Sequence, residues 1–432
     1  MTKDTIVAIS TPRGVGGIAV LRLSGSEALP LALRHLSVDK LEPRHAVYCR
    51  FDELDDVVAV YFPRGYTGEP TVEISCHGSL YVQQAALQAL LDSGARLAEP
   101  GEYTLRAFLN GRLDLSQAEA VADLIDAVTP AQHRLAVSQL RGGYAQKLKA
   151  LRQQLVDLTA LLELELDFSQ EDVEFADRSE LRRLLATLRA QVSALTDSFK
   201  AGNALRRGIP VAIVGRPNAG KSSLLNALVG DDRAIVSPVP GTTRDTIEEM
   251  MVVDGLAFRF IDTAGLRSTD DVIEALGVER SRRAIEGAQV VLYVHDATTP
   301  WQTPEVDLDD PRVLVVLNKC DLSVCEAGQE GLRVSARTGD GIGRLRAAML
   351  DKVRAAMPEG DAVLLSNARH YDALCRLLEA LNHVDAGLAD GIPADLVAVD
   401  LRDALYHLGT ITGEVTGNEV LGAVFSRFCI GK

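Results

Sequence analysis

Gly215-Arg216-Pro217-Asn218-Ala219-Gly220-Lys221-Ser222 spaces two glycines five residues apart and ends on a Lys-Ser pair. This G-x-x-x-x-G-K-[ST] pattern suits phosphate chemistry. The glycines let backbone N–H groups wrap phosphate oxygens, and the N-terminus of a following helix adds a favourable dipole. In such a loop Lys221 reaches the β- and γ-phosphates, and the Ser222 hydroxyl ligates Mg2+. The context agrees: Ile209 to Val214 reads as an apolar strand and Ser222 to Val229 as a helix.

Further residues choose the nucleotide. Asp262-Thr263-Ala264-Gly265 ends an apolar strand candidate, Leu256 to Ile261, where its Asp can hold the Mg2+ shell and its Gly can sense the γ-phosphate. Asn318-Lys319-Cys320-Asp321 ends another apolar run, Arg312 to Leu317. The Asp321 carboxylate can accept from the ring N–H and the exocyclic amine of guanine, a pair that adenine does not offer. Ser335-Ala336-Arg337 closes a further strand and can back the base. The expected GTP contacts are Asn218, Ala219, Gly220, Lys221, Ser222 and Ser223, with Ser237, Thr242 and Thr243 between the motifs. Asp262, Thr263, Ala264, Gly265, Asn318, Lys319, Asp321, Ser335, Ala336 and Arg337 complete the set. Three ordered motifs on strand ends imply a GTP-binding domain of the doubly wound class, whose ligands sit at strand C-termini.

Gly241-Thr242-Thr243-Arg244-Asp245 lies between the phosphate loop and Asp262, which makes Thr243 the natural second Mg2+ ligand. Leu266 follows Gly265, where many signalling GTPases carry a glutamine that orients water. A leucine cannot do this, so Arg267, Asp270, Asp271 and Glu274 are the candidates to replace it. No arginine finger is identifiable; the side-chain oxygen of Asn218 offers a place for a cation where such a finger's charge would sit.

These groups must be positioned by a chain of 432 residues, long enough for about three domains. A hydrophobic content of 47% is ample for several cores. The net charge of −15 argues against a broad, non-specific nucleic-acid surface. Arg206-Arg207 and Arg280 with Arg282-Arg283 are local basic clusters, read as solvated helix faces or, at most, contact patches. Six cysteines form no C-x-x-C pair, and no run of about 18 apolar residues exists, so a reduced, cytoplasmic, non-membrane protein is expected.

The first hundred residues read as mixed α/β. Ile6 to Ser10, Gly17 to Leu23, Val57 to Phe62 and Thr71 to Cys76 are strand candidates, followed by a helix from Leu80 to Ser93 capped at Gly94. Tyr144, Leu148, Leu151, Leu155, Leu158 and Leu162 then form one helical stripe. Leu181, Leu184, Leu188, Val192, Leu195 and Phe199 form another. Helical periodicity resumes at Tyr371, Leu374, Leu378, Leu381, Val384 and Leu388 and continues from Leu396 to Leu408. A tail this short has little core of its own, so it is expected to pack against the helices before residue 206. The nucleotide domain would then be an insertion in a split helical domain. The expected division is 1–117 for an N-terminal domain, 118–206 and 361–432 for the two helical segments, and 207–360 for the GTPase.

Several segments carry a resemblance. They are Thr11-Pro12-Arg13-Gly14 through Leu21-Arg22-Leu23-Ser24-Gly25, Glu99-Pro100-Gly101-Glu102-Tyr103-Thr104, and Arg106-Ala107-Phe108-Leu109-Asn110-Gly111-Arg112-Leu113-Asp114-Leu115. Gln117-Ala118-Glu119-Ala120 and the terminal Phe428-Cys429-Ile430-Gly431-Lys432 complete them. Over nearly its whole length the chain resembles the MnmE (TrmE) family of tRNA-modification GTPases. The resemblance implies a multidomain α/β plus all-α fold: an N-terminal α/β domain that binds folate and dimerises, a split helical domain, and an inserted Ras-like GTPase domain. It also implies a partner, the FAD-dependent MnmG (GidA), in a heterotetramer-type complex. The product would be an aminomethyl or carboxymethylaminomethyl group at C5 of wobble uridine in certain tRNAs. A tetrahydrofolate derivative, in its 5,10-methylene or 5-formyl form, would carry the one-carbon unit.

By the same resemblance Arg22, Glu73, Arg112 and Lys432 fall at folate-contacting positions. A Glu73 carboxylate can pair with the pterin amide N–H and amine much as Asp321 pairs with guanine. Arg112 departs from the lysine common there; the charge is kept, but a guanidinium fork makes different contacts. The family places K+ near the β/γ-phosphate bridge, on Asn218, Ser237, Val239 and Thr242, and matches Glu274 to its water-orienting carboxylate. Cys429 is either a participant in the transfer chemistry or a small buried hydrophobe shaping the folate site. A rival reading is a GTP-timed assembly factor that binds ribosomal RNA. It usually needs an appended RNA-binding module, and no basic stripe or RNA-binding signature stands here. The acidic chain assigns most tRNA contact to the partner.

Overall fold

Alternating apolar residues in Ile18–Ser24 and Thr71–His77 bury one face of each stretch and leave the other open, the signature of strands against a core. The computed structural model describes residues 4–168, 178–230, 249–261, 282–301, 304, 306–322, 330–356, 363–415, 417–426, 428, 430 and 431. It divides into two units. One is formed by 1–122, 139–152 and 405–432, the other by 123–138 and 153–404.

In the first unit, β1 (Ile6–Ile9), β2 (Ile18–Ser24), β3 (Ala46–Phe51), β4 (Asp55–Phe62), β5 (Thr71–His77) and β6 (Arg96–Leu97) form one sheet, ordered β3-β4-β5-β2-β1-β6. Every neighbouring pair is antiparallel except β1 with β6. Register puts Leu21 opposite Ile74 and Leu23 opposite Val72 on the buried face, in one cluster with Ala28, Leu31, Ala86 and Leu90. The last four belong to helices α1 (Ala28–Leu33) and α2 (Leu80–Asp92). The same alternation sets Arg22 opposite Glu73 on the other face. Helix α2 stops at Ser93, and Gly94 adopts φ 111°, as expected of a glycine that ends a helix. Further along, α3 (Glu102–Leu109) and α4 (Leu115–Asp126) bring Phe108, Leu115 and Ala118 against Phe425 and Phe428. The tail backbone follows: Ile430 bridges Pro100.

Helices α5 (Pro130–Leu140) and α6 (Gly143–Phe168) have residues in both units, whereas α7 (Arg178–Asp197) and α8 (Phe199–Arg207) lie in the second and lead into the nucleotide sheet. The second apolar stripe is shared by two helices, because the chain breaks at Ser198; its hydroxyl donates to Leu195 O and accepts from Leu365 N. Leu181, Leu188, Val192 and Leu195 are buried as expected, and Leu185 takes the buried place expected of Leu184, which is only partly buried. Helix α7 packs on the helix Ala368–Ala389, with Arg182 donating to Leu388 O and Arg189 paired with Asp385.

The sheet contains β7 (Ile209–Val214), β8 (Glu249–Val253), β9 (Leu256–Phe260), β10 (Val290–Asp296), β11 (Val313–Asn318) and β12 (Leu332–Arg333), ordered β12-β11-β10-β7-β9-β8. All pairs are parallel except β8 with β9. The central strands are near-continuous apolar runs, as burial on both faces requires. β7 has β9 on one side and β10 on the other. The order therefore reverses at β7, and the crevice for a ligand opens at its C-terminal end.

Candidate functional site

The turn leaving β7 is built for close backbone approach. Gly215 has φ 144°, and a Cβ there would stand 2.2 Å from Val294 O. Gly220, φ 90°, caps α9 (Lys221–Val229), and its Cβ would meet Asn318 Nδ2 at 2.3 Å. Neither position tolerates a side chain, and the space each leaves belongs to the loop. Asn218 holds φ 61° without being glycine, a strained state that surrounding contacts must fix. Lys221 turns back over the loop and donates to Gly215 O and Arg216 O, both at 2.8 Å. Burial pushes its ammonium below the ordinary lysine value, so an anion in the loop would restore the charge's favourable surroundings. Ser222 and Ser223 are exposed on the first turn of α9.

Asn318, 1% exposed, ties two loops together. Its Nδ2 donates to Ala219 O at 3.0 Å, and its Oδ1 accepts from Ala336 N at 3.0 Å. Asp321 is braced from the same side: Ser335 Oγ donates to Oδ1 at 2.7 Å, and Arg337 Nε stands 4.0 Å from Oδ2. Ser335 Oγ in turn accepts from Thr338 N. The carboxylate is thereby oriented, and a carboxylate's two oxygens have lone pairs enough to accept a donor pair such as that of guanine as well. Lys319, at φ 65°, donates to Asn218 O at 2.7 Å and pairs with Asp296 Oδ2 at 2.6 Å. The structure thus brings Asn218 to Ser223, Asn318, Lys319, Asp321 and Ser335 to Arg337 to one end of the sheet. Ser237, Val239, Thr242, Thr243, Asp262, Thr263, Ala264, Gly265 and Glu274 lie outside the described residues, as do Cys429 and Lys432.

On the first unit's open sheet face, Arg22 Nε and Nη2 both reach Glu73 Oε1 at 2.8 Å. The guanidinium carbon sits 5.8 Å from the Tyr66 ring centre and 5.7 Å from that of Tyr103. Tyr103 is fully buried and donates to Arg22 O at 2.5 Å. Burial, the largest influence, pushes both phenols up, so they stay neutral donors. Two of the expected folate contacts are therefore partners of each other. Among the described residues only Oε1 of Glu73 is engaged, which leaves acceptor capacity on a half-buried carboxylate. Arg112 is exposed and packs its stem over Gly68, where a Cβ would meet Arg112 Cγ at 3.1 Å. The tail approaches the same sheet, since a Cβ on Gly431 would stand 2.5 Å from Ile9 O.

The comparisons with known proteins agree from end to end. Residues 5–112 match the family model described as the GTP-binding protein TrmE N-terminus, and 115–429 match the MnmE helical domain. The tRNA modification GTPase MnmE of Parabacteroides distasonis is 46% identical over 460 residues, covering 99% of this chain and 100% of that protein. Its namesake in Porphyromonas gingivalis is also 46% identical, over 100% of this chain and 98% of that protein. The chain belongs to the MnmE family of tRNA modification GTPases. It is accordingly a GTP hydrolase acting in tRNA modification. Among solved structures, the G domain of the T. maritima FeoB iron transporter matches 33% of this chain and 98% of its own, at 25% identity and a TM-score of 0.26, too low to bear on the fold. No helix among the described residues is long and apolar enough to cross a membrane.

For this MnmE-family chain, sequence reasoning missed Asp296, whose partner Lys319 is 23 residues away; the only local hint was an acidic residue ending an apolar strand. It also read Arg206 as a solvated cation. Arg206 instead pairs with Asp123 at 2.7 Å, and its carbonyl accepts from Gln132 Nε2. A second constellation has the look of nucleophilic chemistry: Ser93 Oγ lies 2.6 Å from His35 Nε2, and Asp52 Oδ2 lies 2.7 Å from Nδ1. Its own backbone supplies no oxyanion site among the described residues. The N–H groups of Ser93, Gly94 and Ala95 all bond to carbonyls of the last turn of α2, so the trio closes a helix end.

Proposed function

We propose that this chain is a K+-dependent GTPase that works with the FAD-dependent MnmG (GidA) on wobble uridine of certain tRNAs. The product is the 5-carboxymethylaminomethyl or aminomethyl group, built with a one-carbon unit from a tetrahydrofolate derivative. The observation that carries the nucleotide half is the Asn318 strut, which locks a glycine-shaped phosphate cradle to a braced Asp321. In this reading Lys221 exchanges the carbonyls of Gly215 and Arg216 for phosphate oxygens, and Asp321 accepts the two guanine donors. Ser222 and Thr243 hold Mg2+, while Asn218, Ser237, Val239 and Thr242 hold K+. The two cations supply the positive charge that phosphoryl transfer needs where no arginine finger is identifiable. The exposed Ser222 hydroxyl and the left-handed Asn218 beside the cradle fit that donor set. Glu274 orients the attacking water.

The N-terminal half of the proposal rests on Arg22 and Glu73, with Arg112 and Lys432 completing a folate site and Cys429 either reacting or shaping it. The approach of Gly431 to Ile9 supports placing the tail there, since β1 pairs Ala8 with Arg22. The domains are proposed as 1–117, 118–206 with 361–432, and 207–360, in a homodimer joined to MnmG, with tRNA held largely by the partner. The ribosomal-RNA reading gains nothing from relatives named for tRNA modification. The deciding experiment is nucleoside analysis of tRNA from cells lacking this protein, complemented by the parent, Asp321→Asn or Glu73→Ala. Loss of the modified uridine without the parent gene, and its return with it, is expected. Unchanged nucleosides in the deletion strain would overturn the proposal.

A further inference from the structure

Asn218 and Lys319 are two strained residues joined by one contact. Both are non-glycine and hold positive φ, 61° and 65°, and the Lys319 ammonium donates to the Asn218 carbonyl at 2.7 Å. Left-handed backbone in such residues persists only where neighbours over-determine it. The third member of the contact is Asp296, whose Oδ2 holds the same ammonium at 2.6 Å. Asp296 is itself fixed: Thr298 N and Thr298 Oγ1 donate to its Oδ1 at 3.0 and 2.7 Å. Its backbone is fixed as well, since it pairs with Asn318 across β10 and β11, and Ala297 N donates to Asn318 O. Its side chain is 15% exposed, so the pair is shielded from much of the solvent screening that weakens surface ion pairs.

We propose that Asp296 is a positioning residue of the guanine-nucleotide site, orienting the Lys319 ammonium so that its stem spans the gap between the base loop and the phosphate loop. The stem passes close to the cradle, with Lys319 Cε 3.8 Å from the position of a Gly220 Cβ. Burial pushes the Asp296 carboxyl up, but hydrogen bonds from Lys319 and Thr298 together hold it below the ordinary carboxylate range. The carboxylate is thus charged throughout neutral pH. The inference rests on reading residues 318–321 as the base-recognition loop and adds to it the carboxylate that keeps that loop's lysine extended.

The test is a double-mutant cycle on the full chain, read by titration with a fluorescent GDP analogue. Asp296→Asn keeps the shape and removes the charge. Affinity should fall on the order of tenfold, the effect of losing one charge-assisted hydrogen bond. In a Lys319→Met background the same substitution should change affinity less than about twofold, because the ammonium it orients is gone. A purely structural role of Asp296 would lower affinity equally in both backgrounds, and that result overturns the inference. Asp296→Asn binding like the parent also overturns it. Should Asp296→Asn not fold, Thr298→Ala replaces it in the cycle. That variant keeps the carboxylate and the backbone N–H of residue 298 but removes the hydroxyl that steadies Oδ1, and a loss of about threefold confined to the Lys319 background is expected; no loss overturns the inference. A parent chain that fails to bind the analogue would instead remove the base-loop reading itself.

Discussion

Asn318→Ala isolates the strut between the two nucleotide loops. The side chain is 1% exposed and makes two hydrogen bonds, donating to Ala219 O and accepting from Ala336 N, each at 3.0 Å. Alanine leaves both backbone groups without these partners. A buried group so orphaned costs about 1–3 kcal/mol. Ala219 is 2% exposed and its carbonyl bears the full penalty, whereas Ala336 is only partly buried and its N–H can recover water. The combined loss is therefore about 2–4 kcal/mol. At about 1.4 kcal/mol per decade, nucleotide affinity should fall about five- to thirtyfold if half of that loss appears as lower stability of the free chain. Titration with a fluorescent GDP analogue reads the first part, and thermal melting without nucleotide reads the second. Asn318→Asp serves as a companion: it keeps an acceptor for Ala336 but sets a carboxylate oxygen against the Ala219 carbonyl, so it should bind at least as poorly. An Asn318→Ala chain with affinity within twofold of the parent and an unchanged melting temperature would refute the strut.

Three further outcomes are expected. Asp321→Asn should shift preference from GTP towards xanthosine triphosphate, by a discrimination of up to roughly 10⁴-fold, because a site built for two donors rejects a mismatched edge; competition binding with both nucleotides measures it, and unchanged GTP affinity would contradict the guanine contact. GTP hydrolysis should run faster in K+ than in Na+ at equal ionic strength, and Asn218→Ala should remove the difference; equal rates for the parent in both salts would refute the cation's role. The chain should bind a reduced folate without nucleotide, and Glu73→Ala should weaken this by about tenfold or more, as expected for a half-buried carboxylate bonded to two N–H donors; calorimetry with no saturable heat for the parent would rule out that site.

What the sequence by itself determined is local in the chain. Gly215 and Gly220 were legible because only glycine suits their backbone and their distances from Val294 and Asn318. The strand β7 and helix α9 on either side were legible because apolar period and capping act over a few residues. The leucine stripe of α7 was legible as a face, though not to the residue, since Leu185 rather than Leu184 is the buried member. The family identity was legible too, because its motifs are contiguous runs. What only the tertiary structure decided is pairing between distant residues. Arg22 meets Glu73 across a register that joins residues 51 apart, Asn318 meets Ala219 from 99 away, and Asp296 meets Lys319 across neighbouring strands. Asparagine tolerates the left-handed state that Asn218 adopts, but residue type does not mark Lys319 as left-handed; its ammonium is held by contacts from other loops. A motif names the groups that a site requires, because each group's chemistry resides in its own side chain. Which of those groups restrain one another depends on strand order and register, and those are decided by how the buried faces of the whole sheet pack.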